Sequence, residues 1–235
     1  VEPTPGWPTS PAAILRRLGL RPRKGLSQNF LVDRRVAVAV VRAASVTPDD
    51  EVLEVGPGLG ILTRELCRHA RRVVAVEIDP TLATVLQHLV TATNLEVVQG
   101  DALTFDPSPF AGPYKLAANL PYHITSPLLR HFLVEVRRPT RLVVMVQREV
   151  AERIAARPGA MSFLAVMVQL FAAPSIVRYV SPGAYFPRPK VTSAILRLDV
   201  RPTPAVPVED RAEAFLDFVQ AGFAQPRKQL RNSLA

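Results

Sequence analysis

Short apolar runs alternate along this chain with longer stretches in which apolar positions recur every three or four residues. The runs are "EVLEV" at 51, "RVVAVEI" at 72, "LEVVQ" at 95, "YKLAANL" at 114 and "RLVVMVQ" at 141. Each is five to seven residues long and rich in valine and leucine, which predicts strands buried on both faces. The stretches near 60 to 70, 80 to 92, 126 to 136 and 147 to 157 have helical spacing. An earlier one, "DRRVAVAVVRAA", sets Val36, Val40 and Ala44 behind Asp33 as N-cap and predicts a helix to about Ser45. Strands alternating with helices predict an α/β chain, an open parallel Rossmann-like sheet covered on both faces. In such sheets ligands sit at the carboxyl ends of the strands.

Two further runs, "SIVRYV" at 175 and "SAILRLDV" at 193, have only the proline-rich "SPGAYFPRPKVT" between them, so they predict an antiparallel pair at the sheet edge. The first 25 residues hold Pro3, Pro5, Pro8, Pro11 and Pro22 together with Arg16, Arg17, Arg21, Arg23 and Lys24, and predict a loosely packed basic arm. At the other end "RPTPAVPVED" reads as a linker and "RAEAFLDFVQAGFA" opens a small helical appendage that runs into the basic "RKQLRNSLA". The division expected is an arm over 1–25, a catalytic domain over 26–200, and a linker with part of a C-terminal helical domain over 201–235. No internal repeat is visible.

Composition narrows the function. The chain has 235 residues, 48% of them hydrophobic, which is enough for a sizeable core. The longest apolar stretch, "MSFLAVMVQLFAAP" at 161 to 174, is too short for a bilayer span. With 29 Lys and Arg against 20 Asp and Glu the net charge is +9, carried mostly by arginine, whose planar fork suits phosphate. That balance points to a polyanionic partner. Cys67 is the single cysteine, so no internal disulfide is possible, and a reducing, cytoplasmic compartment is expected. His69, His88, His123 and His131 fall into no ligand spacing, and no metal is expected. The absence of coiled-coil heptads suggests a monomer.

The candidate chemistry lies at the ends of the expected strands. In "EVGPGLG" at 54 to 60, Gly56 and Gly58 let the backbone turn and approach a ligand closely. Ile61 stands where a dinucleotide fingerprint needs its third glycine, and no GK[ST] follows, so neither NAD nor a P-loop fits. Glu77, ending the second strand, can accept from both hydroxyls of a ribose, and Asp101 in "QGDAL" can accept from an adenine amine. Three loops in this order point to an adenosine-containing cofactor.

The fourth strand ends in Asn119, Leu120, Pro121 and Tyr122. An adenine amine is a poor nucleophile because its lone pair is delocalised into the ring. The Asn119 side-chain oxygen and a carbonyl of the Leu-Pro step can hold its hydrogens, while Tyr122 stacks on the flipped base for about 1 to 3 kcal/mol. A methyl sulfonium is the electrophile that needs neither metal nor covalent intermediate. Methylation of a cytosine carbon would require a cysteine beside a proline, and Cys67 sits in "ELCRH" instead.

With these motifs in place the chain resembles the adenine-N6 dimethyltransferases of ribosomal RNA. The resemblance runs from Leu26 onward through "LSQNFLVD", "EVGPGLG", "AVEIDP", "GDAL", "NLPY", "QREVAERI", "FPRPKVTSAILRL" and "RKQLRNSL". It is closest to the KsgA-type branch, which dimethylates two adjacent adenosines in a hairpin loop near the 3' end of small-subunit rRNA. The Erm branch, acting on large-subunit rRNA and conferring macrolide resistance, shares "QNFL" and is the alternative enzyme. The alternative of another class is an RNA-binding ribosome assembly factor. An adenine-N6 DNA methyltransferase fits less well, because Leu120 stands where those enzymes carry proline.

The resemblance implies a class I methyltransferase sheet, S-adenosyl-L-methionine as cofactor, and small-subunit rRNA within a pre-ribosomal particle as partner. It also implies roles. Gln28, Asn29 and Leu31 would line the cofactor site from the arm, and Gly56, Gly58, Glu77, Ile78, Asp101, Ala102 and Asn119 would complete it. Phe186 would pack on the target base opposite Tyr122. The sequence departs from the family at His123, where Asn is common, and at Ser27, where bacterial members commonly carry Gly. The arginines of "QREVAERIAAR" would hold RNA by its phosphates.

Overall fold

The computed structural model describes residues 10–22, 28–208 and 211–224. The expected basic segment "RKQLRNSLA" and Ser27 lie outside the described residues. Within the region expected as a loose arm, Pro11–Arg17 forms a helix, α1, with Ser10 as N-cap and Pro11 in its first turn. Its Ile14 and Leu15 are buried in the main core, so this part of the arm is packed rather than loose. Two apolar residues among the cations were the signal that the proline count hid.

After β1 (Phe30–Leu31) comes α2 (Arg34–Ala44), where Asp33 caps the first turn by accepting from the Arg35 amide at 2.9 Å. Ser45 then adopts φ +49°, which ends the helix. The parallel layer follows as β2 (Glu51–Val55), α3 (Ile61–Cys67), β3 (Arg72–Glu77), α4 (Pro80–Leu89), β4 (Leu95–Gln99) and β5 (Tyr114–Asn119). A 3-10 turn at Tyr122–Ile124 leads into α5 (Thr125–Arg130), which passes into a π-helical turn, His131–Glu135. Then come β6 (Arg141–Gln147), α6 (Arg148–Ile154), α7 (Phe163–Phe171), β7 (Ala172–Val180), β8 (Tyr185–Phe186), β9 (Ser193–Val200) and α8 (Ala212–Phe223). No element is expected from the sequence at α7. Its apolar residues are close to continuous, so helical periodicity is faint, but Ser162 caps it and Met167, Val168, Leu170 and Phe171 are buried.

Seven strands form one sheet in the order β4-β3-β2-β5-β6-β9-β7. The first five are parallel, and β9 joins β6 and β7 antiparallel, the edge pair that the sequence predicts. Alternation sorts the strand residues between two cores. Val52, Val73, Ala75, Ala117, Val143 and Ile195 face α1 to α4. Leu53, Val74, Leu116, Ala118, Val144 and Leu196 face α5 to α8. The strand order reverses between β2 and β5, which opens a crevice at their carboxyl ends. A separate two-stranded ribbon, β1 with β8, pairs Phe30 with Phe186 and Leu31 with Tyr185.

Candidate functional site

A cavity of about 390 Å³ fills that crevice, within the roughly 300–1,000 Å³ usual for small-molecule sites. One wall is the loop after β2. Gly56, Gly58 and Gly60 have φ of +65°, +54° and +75°, a conformation that L side chains rarely adopt. A Cβ on Gly56 would meet nothing within 4 Å, so the backbone lies open to the cavity it lines. Gly60 is closed by packing instead: a Cβ there would come within 2.6 Å of Val90 and 2.7 Å of Leu86.

Glu77 ends β3 and is buried, with Oε2 accepting from the Gly58 amide at 3.1 Å and Oε1 from the Asp79 amide at 3.0 Å. Burial raises its pKa, and those two amides oppose the rise. A carboxylate offers about four acceptor directions. The two amides leave Glu77 able to accept from a diol in the cavity. Ile78, half exposed beside it, offers an apolar edge to a flat ring. Asp101 is exposed at the rim; its Oδ1 accepts from the Leu103 amide at 2.9 Å, and Ala102 is buried next to it.

The opposite wall is Asn119, Leu120, Pro121, Tyr122, His123 and Ile124. The Asn119 amide nitrogen donates to the Asn29 carbonyl at 3.1 Å. A carbonyl only accepts, so the Asn119 nitrogen faces Asn29 and its oxygen is the end left for a ligand. Tyr122 is half-buried, and its hydroxyl shares a 2.9 Å hydrogen bond with the hydroxyl of Ser193.

The structure brings almost every sequence-predicted residue to this one cavity. Gln28, Asn29, Leu31, Gly56, Gly58, Glu77, Ile78, Asp101, Ala102, Asn119, Leu120, Pro121 and Tyr122 all line it. Phe186 does not; it is 38% exposed on β8, and its neighbour Tyr185 lines the cavity instead. Cys67 is buried at the end of α3 with its thiol pushed up to about 12 by burial, so it is no nucleophile. Among the described residues there is no cluster of His, Cys, Asp and Glu that could hold a metal ion.

Two participants escaped the sequence reading. Glu54, in β2, lines the cavity with its Oε2 buried and unpartnered, and burial together with the charge of Glu77 pushes its pKa up to about 8. Its place at the head of "EVGPGLG" was a visible signal. Tyr185 had none, because its role depends on how β8 pairs with β1.

The sheet, its reversal point and the glycine loop at the end of β2 are those of an α/β methyltransferase. The profile of the ribosomal RNA adenine dimethylase family matches residues 19–235, and the chain belongs to that family. It is 44% identical to a ribosomal RNA small subunit methyltransferase A of Pelotomaculum thermopropionicum, over 94% of this chain and 80% of the relative. It is 42% identical to the protein of that name from Dehalococcoides mccartyi, over 99% and 81%. Among solved structures it matches a 23S rRNA methyltransferase, ErmE, at 35% identity and a TM-score of 0.75, covering 88% of this chain and 83% of that one. A dimethyladenosine transferase from Plasmodium falciparum matches at 28% and 0.74, over 87% and 74%. The protein is therefore an S-adenosylmethionine-dependent rRNA adenine dimethyltransferase. The cavity fits that cofactor: an open glycine backbone for close approach, a buried carboxylate with acceptor capacity for a ribose, and a second, Glu54, with one buried oxygen left for a cationic group.

Proposed function

We propose that this enzyme dimethylates the N6 amines of two adjacent adenosines in a hairpin loop near the 3' end of small-subunit rRNA, in the cytoplasm, as a monomer acting on a pre-ribosomal particle. The names of the relatives that match over nearly the whole chain support the small-subunit assignment. The observation that carries the chemistry is the bond from the Asn119 amide nitrogen to the Asn29 carbonyl, because it dedicates Oδ1 to accepting.

In this reading Gly56, Gly58, Glu77, Ile78, Asp101 and Ala102 hold the cofactor, with Gln28, Asn29 and Leu31 closing over it. When bound, the cofactor supplies an activated methyl group on a sulfonium. Asn119 Oδ1 and the Leu120 carbonyl accept the two hydrogens of the target amine and draw its lone pair out of conjugation. Tyr122 stacks on the base and fixes its plane. The proton leaves to water once the new bond has formed, so His123 has no part in the chemistry. Phe186, exposed beside Tyr185, meets the outer face of the base. The catalytic domain extends over 26–200, and the helical segment beyond it helps to dock RNA.

The test is transfer of labelled methyl to unmethylated small subunits and, in parallel, to protein-free large-subunit rRNA, with digestion and mass spectrometry of the nucleosides. Dimethyladenosine in the small subunit alone is the expected result. The similarity to ErmE favours the second arm as the alternative, and label in large-subunit RNA would replace the assignment.

A further inference from the structure

Ser193 begins β9 and is fully buried, although an unbonded hydroxyl is costly to bury. It is held on both sides, opposite Gln147 of β6 and Val180 of β7, so its backbone is fixed by two neighbouring strands. Its hydroxyl meets the Tyr122 hydroxyl at 2.9 Å. Tyr185, almost wholly buried, donates instead to Met145 Sδ at 3.7 Å. Both tyrosines line the cavity; Ser193 stands behind them and does not.

We propose that Ser193 is a positioning residue for methyl transfer, tethering the Tyr122 phenol to β9 so that the ring keeps its place against the base through both methylations. The inference rests on Tyr122 stacking on the target base. A tyrosine ring turns about two side-chain bonds, and the turn after Asn119 restrains only its backbone. The para oxygen lies on the second of these axes, so a hydrogen bond there fixes the swing of the ring about the first bond, and the preference of a phenol O–H for the ring plane restrains its turn about the second. Tyr122 is half-buried, so without Ser193 its hydroxyl turns to water and the ring is free to tilt. The demand is greater for the second transfer, when the amine already carries a methyl group and the stack must hold a bulkier base in line.

The experiment is a time course of monomethyl- and dimethyladenosine on the small subunit, run with the full chain and the variants Ser193→Ala, Tyr122→Phe, the double variant and Tyr122→Ala. For Ser193→Ala we expect cofactor affinity within about twofold of the parent and a kcat about tenfold lower, the loss of one hydrogen bond's positioning. Monomethyladenosine accumulates, and adding Tyr122→Phe costs little more, since both changes remove the same bond. Full kcat and a parental product ratio in Ser193→Ala would overturn the inference, as would additive losses. Where Ser193→Ala does not fold, Tyr122→Phe reads the same bond from the other side, and unchanged products from it overturn the proposal. Tyr122→Ala separates the two claims. Parental activity in that variant removes the stacking role itself, whereas its inactivity beside a fully active Ser193→Ala removes only the tether.

Discussion

The two walls of the cavity are built by different means. The cofactor wall consists of loops that each follow one parallel strand, and its bonds are short in sequence: Glu77 accepts from Asp79 two residues on and from Gly58 nineteen residues back. The base wall is assembled from distant pieces. Asn119 reaches Asn29 across 90 residues, Tyr122 reaches Ser193 across 71, and β1 meets β8 over more than 150. The first wall is part of the parallel core and inherits its rigidity. The second depends on distant segments and on the antiparallel edge coming together, so damage to its side chains should leave the fold and most of the cofactor site intact while turnover falls.

Asn119→Ala should break that separation most sharply. Removing the oriented acceptor should lower kcat by about a thousandfold, comparable with deletion of one preorganised polar group in other active sites. Cofactor affinity measured by titration calorimetry should change by less than about tenfold, because Asn119 and Asn29 only border the cofactor while the glycine loop and Glu77 are untouched. A parallel loss of both would show that the two walls are one unit.

Glu77→Gln tests the other wall. The amide keeps an acceptor for one of its two backbone partners but loses the charge and one acceptor oxygen, so affinity for S-adenosylmethionine should fall about a hundredfold, near 3 kcal/mol. At saturating cofactor kcat should return to within a few-fold of the parent. A kcat that stays low under saturation would place Glu77 in the chemistry of the base wall.

Gly60→Ala should act on stability before function. Its φ of +75° already disfavours a side chain, and a Cβ would drive into Val90 and Leu86, both part of the buried packing of α4 against the sheet. The expected loss is about 2 to 4 kcal/mol by urea unfolding, combining overpacking with left-handed strain. Gly56→Ala provides the contrast, since its space is open and only the strain applies.

The same division explains what could be read from the chain. Strands β2 to β6 and the loops at Gly56, Glu77, Asp101 and Asn119 were legible because a buried parallel strand is a short apolar run and its carboxyl end is where the run stops. The antiparallel pair was legible because nothing helical separates its members. The packed helix α1 was hidden by the prolines and arginines around Ile14 and Leu15, and α7 by a near-continuous apolar composition without clear period. Tyr185 and Ser193 could not be found, because each acts through a partner chosen by tertiary pairing. Phe186 came from family resemblance alone, and the structure leaves it on the exposed face of β8.

Glu54 gives the mildest and most diagnostic probe of the cofactor wall. Its pKa is raised from 4.5 to about 8 by burial and by the charge of Glu77, so the folded protein holds a proton that the unfolded chain gives up. Between those two pH values the native state binds more protons than the unfolded one, and stability must therefore fall as pH rises, by at most about 1.4 kcal/mol per pH unit. Below about 4.5 and above about 8 this contribution is flat. Glu54→Gln cannot ionise, so its stability should lack that slope in urea unfolding from pH 5 to 8, with the difference between variant and parent growing toward the alkaline end. A cationic cofactor beside Glu54 favours the ionised carboxylate, so its binding should release a proton in the parent and not in the variant, visible as a buffer-dependent calorimetric heat. Identical slopes and buffer-independent heats in both proteins would mean that Glu54 is already ionised before anything binds.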